Sequence, residues 1–314
     1  MLGNLLISFN IVAPLFLYGL VGYALKACGV IPESIATGIN KIYFNALIPC
    51  TLFLSVYNSE WNGLDLRLYA YILACLLLLA AALIAVVPRL VPDGRDAGVT
   101  IHAILRGNTA VYGIPLAQGI LGTTDVGGVM AIAICISIIT TTVLGPIFFA
   151  KCCHKKASAA GVLRDIVTNP LLIGELAAIA LVLLRIRLPQ FLLTTVSNLS
   201  AATTPVAFIG LGAAFRLGMS AGRRKLIVST TLVRLIAVPL LIVGAGIALF
   251  GFSGPPLVAL MAIFATPTAV CTFAIAEIYG GNASLAGDYV LSTTAVSILT
   301  LFVWIFVVKM LGLA

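Results

Sequence analysis

Residues 106–122 read RGNTAVYGIPLAQGILG. One helix length here carries an arginine, an asparagine, a threonine, a tyrosine, a glutamine, a proline and four glycines, within an otherwise apolar chain. A helix that only crosses a bilayer has no use for these groups. Gly107 and Gly113 weaken a helix, and Pro115 cannot donate to the turn before it. A helix broken at membrane depth frees N–H and C=O groups that cost several kcal/mol each against lipid. They must face protein or a wet cavity, so the segment reads as a broken transmembrane helix with something to hold.

The surrounding composition agrees. The chain has 314 residues, 61% hydrophobic and 9% charged, with a mean hydropathy of +1.18. Soluble domains carry about 25% charged residues. A bilayer core needs roughly 20 apolar residues per helix, and the apolar runs are long and non-alternating, which excludes a barrel. The class is an all-α polytopic membrane protein. The opening MLGNLLISFN lacks a basic stretch, so the first apolar run is expected to remain as a span. The seven cysteines form no CxxC pair, and neither a disulfide, a metal site nor a cofactor is expected. A net charge of +8 reads as loop orientation, not nucleic-acid binding.

Ten spans are expected, near 5–27, 36–57, 67–91, 98–122, 126–150, 168–187, 190–214, 226–251, 256–280 and 286–311. The polar break at 151–167 divides a first five-span repeat, 1–150, from a second, 168–314. With the N-terminus outside, Lys26, Arg89, Arg95, Lys151, Arg164 and Arg223–Lys225 fall on the inner side. Arg67, Arg185, Arg187 and Lys309 fall outside. That asymmetry places both termini on the non-cytoplasmic side of a cell membrane. Five spans per half also force the second half to be inverted. Three prolines support the repeat: Pro14 and Pro170 lie 156 apart, Pro32 and Pro189 157, Pro49 and Pro205 156. Inverted repeats are characteristic of secondary transporters.

The ninth span, MAIFATPTAVCTFAIAEIYGG at 261–281, is the partner of the opening stretch. Thr109-Ala110-Val111 falls on Thr268-Ala269-Val270 at an offset of 159, which sets Asn108 on Pro267 and Gln118 on Glu277. Pro267 breaks this span as the glycines and Pro115 break the fourth. Two breaks at equivalent places in inverted halves should cross, with half-helix N-termini aimed at one spot that favours an anion. Asn108, Thr109 and Thr268 add donors there. A kink made only for packing is the competing reading for either span alone.

GNTAVYGIPLAQGILG, PTAVCTFAIAEIYG and the stretch from NPLLIGELAAIALVLL to ATTPVAFIGLGAAF resemble the auxin efflux carrier superfamily, which includes plant PIN carriers and bacterial malate or malonate permease-like proteins. The resemblance runs over most of the chain and is nearer the short bacterial members. It implies two inverted five-helix repeats with crossing broken fourth and ninth helices. It also implies a dimerising scaffold of helices 1, 2, 6 and 7, and a transport domain of helices 3–5 and 8–10 that moves as an elevator. Plant members open the crossover with Pro-Asn-Thr. Here Gly107-Asn108-Thr109 keeps the asparagine without the proline, which puts auxin itself in doubt.

The expected substrate-binding set is Gly107, Asn108, Thr109, Tyr112, Thr266, Pro267 and Thr268, with Asn45 and Thr204 on the scaffold wall. Gly113, Pro115 and Pro267 are the expected hinge. Asn45 and Pro49 lie four apart and share a helix face; Thr203, Thr204 and Pro205 are their repeat mates. Charged groups within spans are candidates by default. Glu277 is a candidate proton carrier or an interfacial residue. Arg234 would balance a substrate carboxylate, pair with an acid or snorkel. His102 and Gln118 complete the ion-coupling candidates. Arg106 could compensate an anion, Glu175 reads as structural near the inner interface, and Asp288 as a helix-start residue.

HExxH, GxSxG and Walker signatures are absent from the sequence, so an enzyme is not expected. The reading is a secondary transporter of a small organic anion, a mono- or dicarboxylate, with proton or sodium coupling open and a homodimer expected in the lipid bilayer. A sodium-coupled symporter of similar fold is one alternative. A non-transporting receptor or channel is the other.

Overall fold

The computed structural model describes residues 2–58, 65–122, 127–153, 164, 167–214 and 221–314. Among these the secondary structure is almost entirely helical. Most of the polar break at 154–167 lies outside the described residues. Helix α1 spans Leu2–Ala27. Helix α2, Glu33–Ile42, runs through a π turn, Tyr43–Leu47, into α3, Ile48–Tyr57. Then come α4, Leu66–Leu90, and α5, Gly94–Leu105. A second π turn, Thr109–Gly113, leads into α6, Ile114–Leu121. The middle of the chain forms α7, Gly127–Cys153, α8, Pro170–Leu183, and α9, Gln190–Ala214. Helix α10, Arg224–Leu232, passes through a third π turn, Val233–Ala237, into α11, Val238–Phe250. The chain closes with α12, Gly254–Phe264, α13, Cys271–Tyr279, and α14, Ala283–Met310. Five described stretches are long and apolar enough to cross a membrane by themselves: 66–90, 132–153, 190–210, 224–250 and 283–310.

The π turns have one cause. Each ends two residues before a proline: Pro49, Pro115 and Pro239. A proline lacks the N–H for the regular bond, and its ring collides with the carbonyl four residues back. Widening the preceding turn relieves the collision without ending the helix. The carbonyl that Pro239 displaces is Leu235, and Trp304 Nε1 donates to it at 3.1 Å. In the first π turn, Leu47 O accepts from Thr203 Oγ1 at 3.0 Å and Thr51 Oγ1 at 3.1 Å.

Helix starts follow ordinary capping. Asp65, Asp93, Asn169 and Asn282 accept backbone N–H groups at the starts of α4, α5, α8 and α14, each worth about 1 kcal/mol. The cap of the last helix is therefore Asn282, not Asp288, which lies in its second turn. A polar knot ties three loops on one face. Buried Asp96 pairs with Arg223 at 2.8 Å and accepts from Asn282 Nδ2 at 2.7 Å.

Packing gathers the helices into two groups, with α1 against α14 as the main contact between them. In one, α1 lies along α9, and α3 lies along α8 and crosses α9. The approaches are close. A Cβ on Gly22 would meet the Ile209 carbonyl, and one on Gly174 would lie 2.6 Å from the Pro49 carbonyl. In the other group α4, α5, α7 and α12 pack on one another, with α13 and α14 against them. Fully buried α12 residues, Leu257 to Phe264, form its centre. Large apolar side chains remain exposed along α1, α4, α9, α11 and α14, as expected for surfaces that face lipid.

Candidate functional site: a helix crossover beside a polar cavity

Helix α5 stops at Leu105 because Arg106 turns extended, with φ −93° and ψ 102°. Helix α12 stops at Phe264, ahead of Pro267. The two interruptions meet as an isolated antiparallel bridge between Gly107 and Thr268. Asn108 N donates to Pro267 O at 2.7 Å, and Ala269 N donates to Arg106 O at 3.0 Å. The remaining freed groups find partners as well. Thr266 Oγ1 donates to Ala262 O at 3.0 Å, and Thr268 Oγ1 to Ala103 O at 2.8 Å. Thr268 N donates to Thr293 Oγ1 at 3.1 Å. Two breaks at membrane depth are thus satisfied largely by each other, which is what the cost of exposed backbone demands.

The C-terminal ends of both half-helices converge on Arg234. It is fully buried and donates to Ile104 O from α5 at 3.0 Å. It also donates to Ile263 O and Thr266 O, at the end of α12, both at 2.9 Å. No acid among the described residues pairs with it. The charge is balanced instead by two helix C-termini, each carrying about −0.5 of an elementary charge. The π turn made by Pro239 carries Arg234. Gly107 leaves the room: a Cβ there would collide with Arg234 Nη2.

The opposite ends of the break point into a cavity. Its free space, with the open mouth counted, is about 420 Å³. Its polar wall is Arg106, Asn108, Thr109, Ser137 and Thr141, and its apolar wall includes Phe44, Ile48, Ile138 and Leu171. Ala269, Val270 and Cys271 bring in the start of α13. Both helix starts lack a side-chain cap, although Tyr112, Thr272 and Phe273 already donate their N–H groups to the Asn108, Ala269 and Val270 carbonyls. Asn108 is 5% exposed, and its Nδ2 has no hydrogen-bond partner. Arg106, equally buried, donates to Thr142 Oγ1 at 3.0 Å. Among the described residues no carboxylate lines the cavity. A buried donor, a guanidinium and two uncapped helix starts around one space suit an acceptor-rich, negatively charged guest.

Gly107, Asn108 and Thr109 therefore lie at the cavity, and several other expected site residues do not. Thr266 and Thr268 spend their hydroxyls on backbone carbonyls, and Pro267 contributes its carbonyl to the bridge. Tyr112 packs edge-on against Phe208, ring centroids 4.7 Å apart. Asn45 is exposed and donates to Lys41 O in its own helix at 2.8 Å. Half-buried Thr204 is away from the cavity; its neighbour Thr203 makes the contact to Leu47 and Thr51 instead. Gly113 and Pro115 are not the break. Gly113 ends the π turn against Ala262, and Pro115 sits just after it in the first turn of α6, where the widened π turn accommodates its missing N–H. Arg234 clamps the crossover and neither faces the cavity nor snorkels.

Among the coupling candidates, His102 is fully buried, with Nδ1 3.0 Å from Thr272 Oγ1 and its ring against Phe149. Gln118 is half-buried near the end of α6, outside the lining. The side chain of Glu277 lies outside the described part of the structure. Ser137 and Thr141 in α7 were not anticipated, although their spacing of four puts two hydroxyls on one face. Glu175 is fully buried among helices, with Cys135 Sγ 3.3 Å from Oε2 and no hydrogen-bond partner for Oε1.

Sequence comparison leads to the same place as the crossover. The chain is 26% identical over 320 residues to an uncharacterized transporter of Methanocaldococcus jannaschii, covering 95% of this chain and 98% of that one. It is 31% identical over 107 residues to an uncharacterized transporter of Methanothermobacter thermautotrophicus, about a third of each protein. A family model described as membrane transport protein matches residues 7–305. The helical, apolar architecture and this near-complete match make the chain a multi-pass member of the membrane transport protein family, the group of the auxin efflux carriers.

Proposed function

We propose that the protein is a secondary transporter of a small organic anion, a mono- or dicarboxylate, whose charged end binds in the crossover cavity. The observation that carries this reading is the unpartnered, buried Nδ2 of Asn108 in a cavity lined by Arg106, with no acid in the lining among the described residues. A buried donor without an acceptor costs about 1–3 kcal/mol, a cost a carboxylate oxygen would remove.

The packing supports an elevator. Tyr43, Phe44, Ile48 and Leu171 come from the α1, α3, α8 and α9 group, and the other lining residues come from α5 to α7 and the start of α13. Lining drawn from both groups supports a cavity between a scaffold of spans 1, 2, 6 and 7 and a transport domain of spans 3–5 and 8–10. Residues related by the repeat offset also touch. Asn108 meets Pro267, 159 apart, and Leu47 meets Thr203, 156 apart. Such self-pairing is expected along a pseudo-two-fold axis and supports two inverted five-span halves, with both termini on the non-cytoplasmic side. A homodimer through the scaffold belongs to the same reading.

Uptake into proteoliposomes tests it. Labelled acetate, benzoate, malonate and malate are offered with and without proton and sodium gradients, beside a labelled organic cation of similar size. At least one carboxylate is expected to accumulate and the cation is not. Selective uptake of the cation, or no uptake of any carboxylate, contradicts the reading. A dependence on sodium with none on protons favours the sodium-coupled alternative.

A further inference from the structure

We infer that Glu175 is a proton site, loaded together with the anionic substrate, and that it acts by competing with that substrate for the charge of Arg106. The inference rests on the anion reading of the cavity and adds the coupling ion to it. Glu175 lies on α8, one turn after the cavity residue Leu171, and residues four apart share a helix face. Its carboxyl is fully buried. Oε2 accepts from the Cys135 thiol at 3.3 Å, while Oε1 has no hydrogen-bond partner. No lysine or arginine among the described residues is within ion-pairing distance of it.

The groups around it leave one cation that matters. Helix α7 brings Cys135, with Lys151 at its far end. Helix α3 and its π turn bring Cys50, Tyr57 and Tyr43 and no lysine, arginine or acid. The cation nearest in the fold is Arg106, at the end of α5, which lines the same cavity as Leu171, one turn before Glu175. An ionised carboxylate with an unsatisfied oxygen is costly in an apolar interior, so the neutral acid is the form that fits here. Arg106 supplies a single positive charge, enough to balance one anion. With Glu175 protonated, that charge is free for a substrate carboxylate. With the proton lost to water, the Glu175 carboxylate becomes a rival anion, and substrate binding weakens. The proton enters from the water on the side where the anion binds and leaves on the side where it is released. The Cys135–Glu175 hydrogen bond spans the boundary between the two helix groups, so any sliding of one past the other breaks it and changes the setting of the carboxyl.

The test combines transport with infrared spectroscopy. For whichever of acetate, benzoate, malonate or malate the parent transports, apparent affinity should fall about tenfold per pH unit once Glu175 ionises. In Glu175→Gln, which mimics the neutral acid, it should change less than about twofold over the same range, with uptake retained. The infrared spectrum of the parent at pH 7 should show the carbonyl stretch of a buried protonated carboxyl. Glu175→Gln should remove the band, and Cys135→Ala should shift it, which keeps the assignment possible if the glutamine variant fails to fold. Transport with unchanged pH dependence in Glu175→Gln, or no such band in the parent, overturns the proposal while leaving the anion reading intact. If the parent transports none of the four, the anion reading falls and takes this proposal with it.

Discussion

Arg234→Met is expected to yield little folded protein. The substitution keeps most of the apolar stem and removes three donors. Ile104 O, Ile263 O and Thr266 O, each now held at 2.9–3.0 Å, are left buried without partners. An unsatisfied buried acceptor costs about 1–3 kcal/mol, so three cost roughly 3–9 kcal/mol. Typical stabilities are about 5–15 kcal/mol. The negative ends of two half-helices would also face each other without a counter-charge. Arg234→Lys keeps the charge on a compact head that cannot fork between two helix ends, and is expected to be intermediate. Size-exclusion profiles and thermal unfolding in detergent read the series. A methionine variant that melts with the parent would show that the guanidinium does not hold the crossover.

Gly107→Ala is the second large effect. Its Cβ would collide with Arg234 Nη2 and lie 2.5 Å from Ile263 O and 2.8 Å from Thr266 Oγ1. Two of these neighbours belong to the break in the other half of the chain, and the third is the clamp itself. None is a flexible tip that can swing away. Overpacking of this kind costs about 1–3 kcal/mol or more, here with displacement of the bridge that positions Asn108. Gly244→Ala in α11 is the control, because a Cβ there meets nothing within 4 Å. Removing a helical glycine should leave stability unchanged or raise it by up to about 1 kcal/mol. Unfolding temperatures of both variants check this. If Gly107→Ala behaves like Gly244→Ala, the close packing at the crossing is wrong.

The crossing itself was legible before any coordinates. Helix breakers recur at matched places in two halves, and the Thr-Ala-Val register that sets Asn108 on Pro267 matches the backbone bond between them. Side-chain destinations were less legible, for reasons of geometry. A π turn takes more residues per turn than an α-helix, so the face inferred from Asn45 and Pro49 rotated away and left Asn45 exposed. One position along a helix turns a side chain by about 100°, which is the difference between Thr203 at the helix crossing and Thr204 beside it. Thr266 and Thr268 read as substrate donors because no sequence shows which carbonyls a break leaves hungry. For the same reason Arg234 read as a substrate counter-charge, a partner for an acid or a snorkelling residue, and not as a clamp on two helix ends. Its signal was Pro239, five residues on, whose π turn carries the arginine that reaches the break. Glu175 was placed near the interface from its position early in a span, whereas α3 and α7 close over it.

The central claim is that an anion binds at Asn108. Its most direct test is equilibrium binding of the transported carboxylate to the parent and to Asn108→Ala. A hydrogen bond to a charged group is worth roughly 1.5–3 kcal/mol, so the variant should bind about tenfold to a hundredfold more weakly. Its unfolding temperature without ligand should equal or exceed that of the parent, because the lost donor had no partner in the unliganded cavity. If Asn108→Ala binds every carboxylate as the parent does, the crossover cavity is not the substrate site.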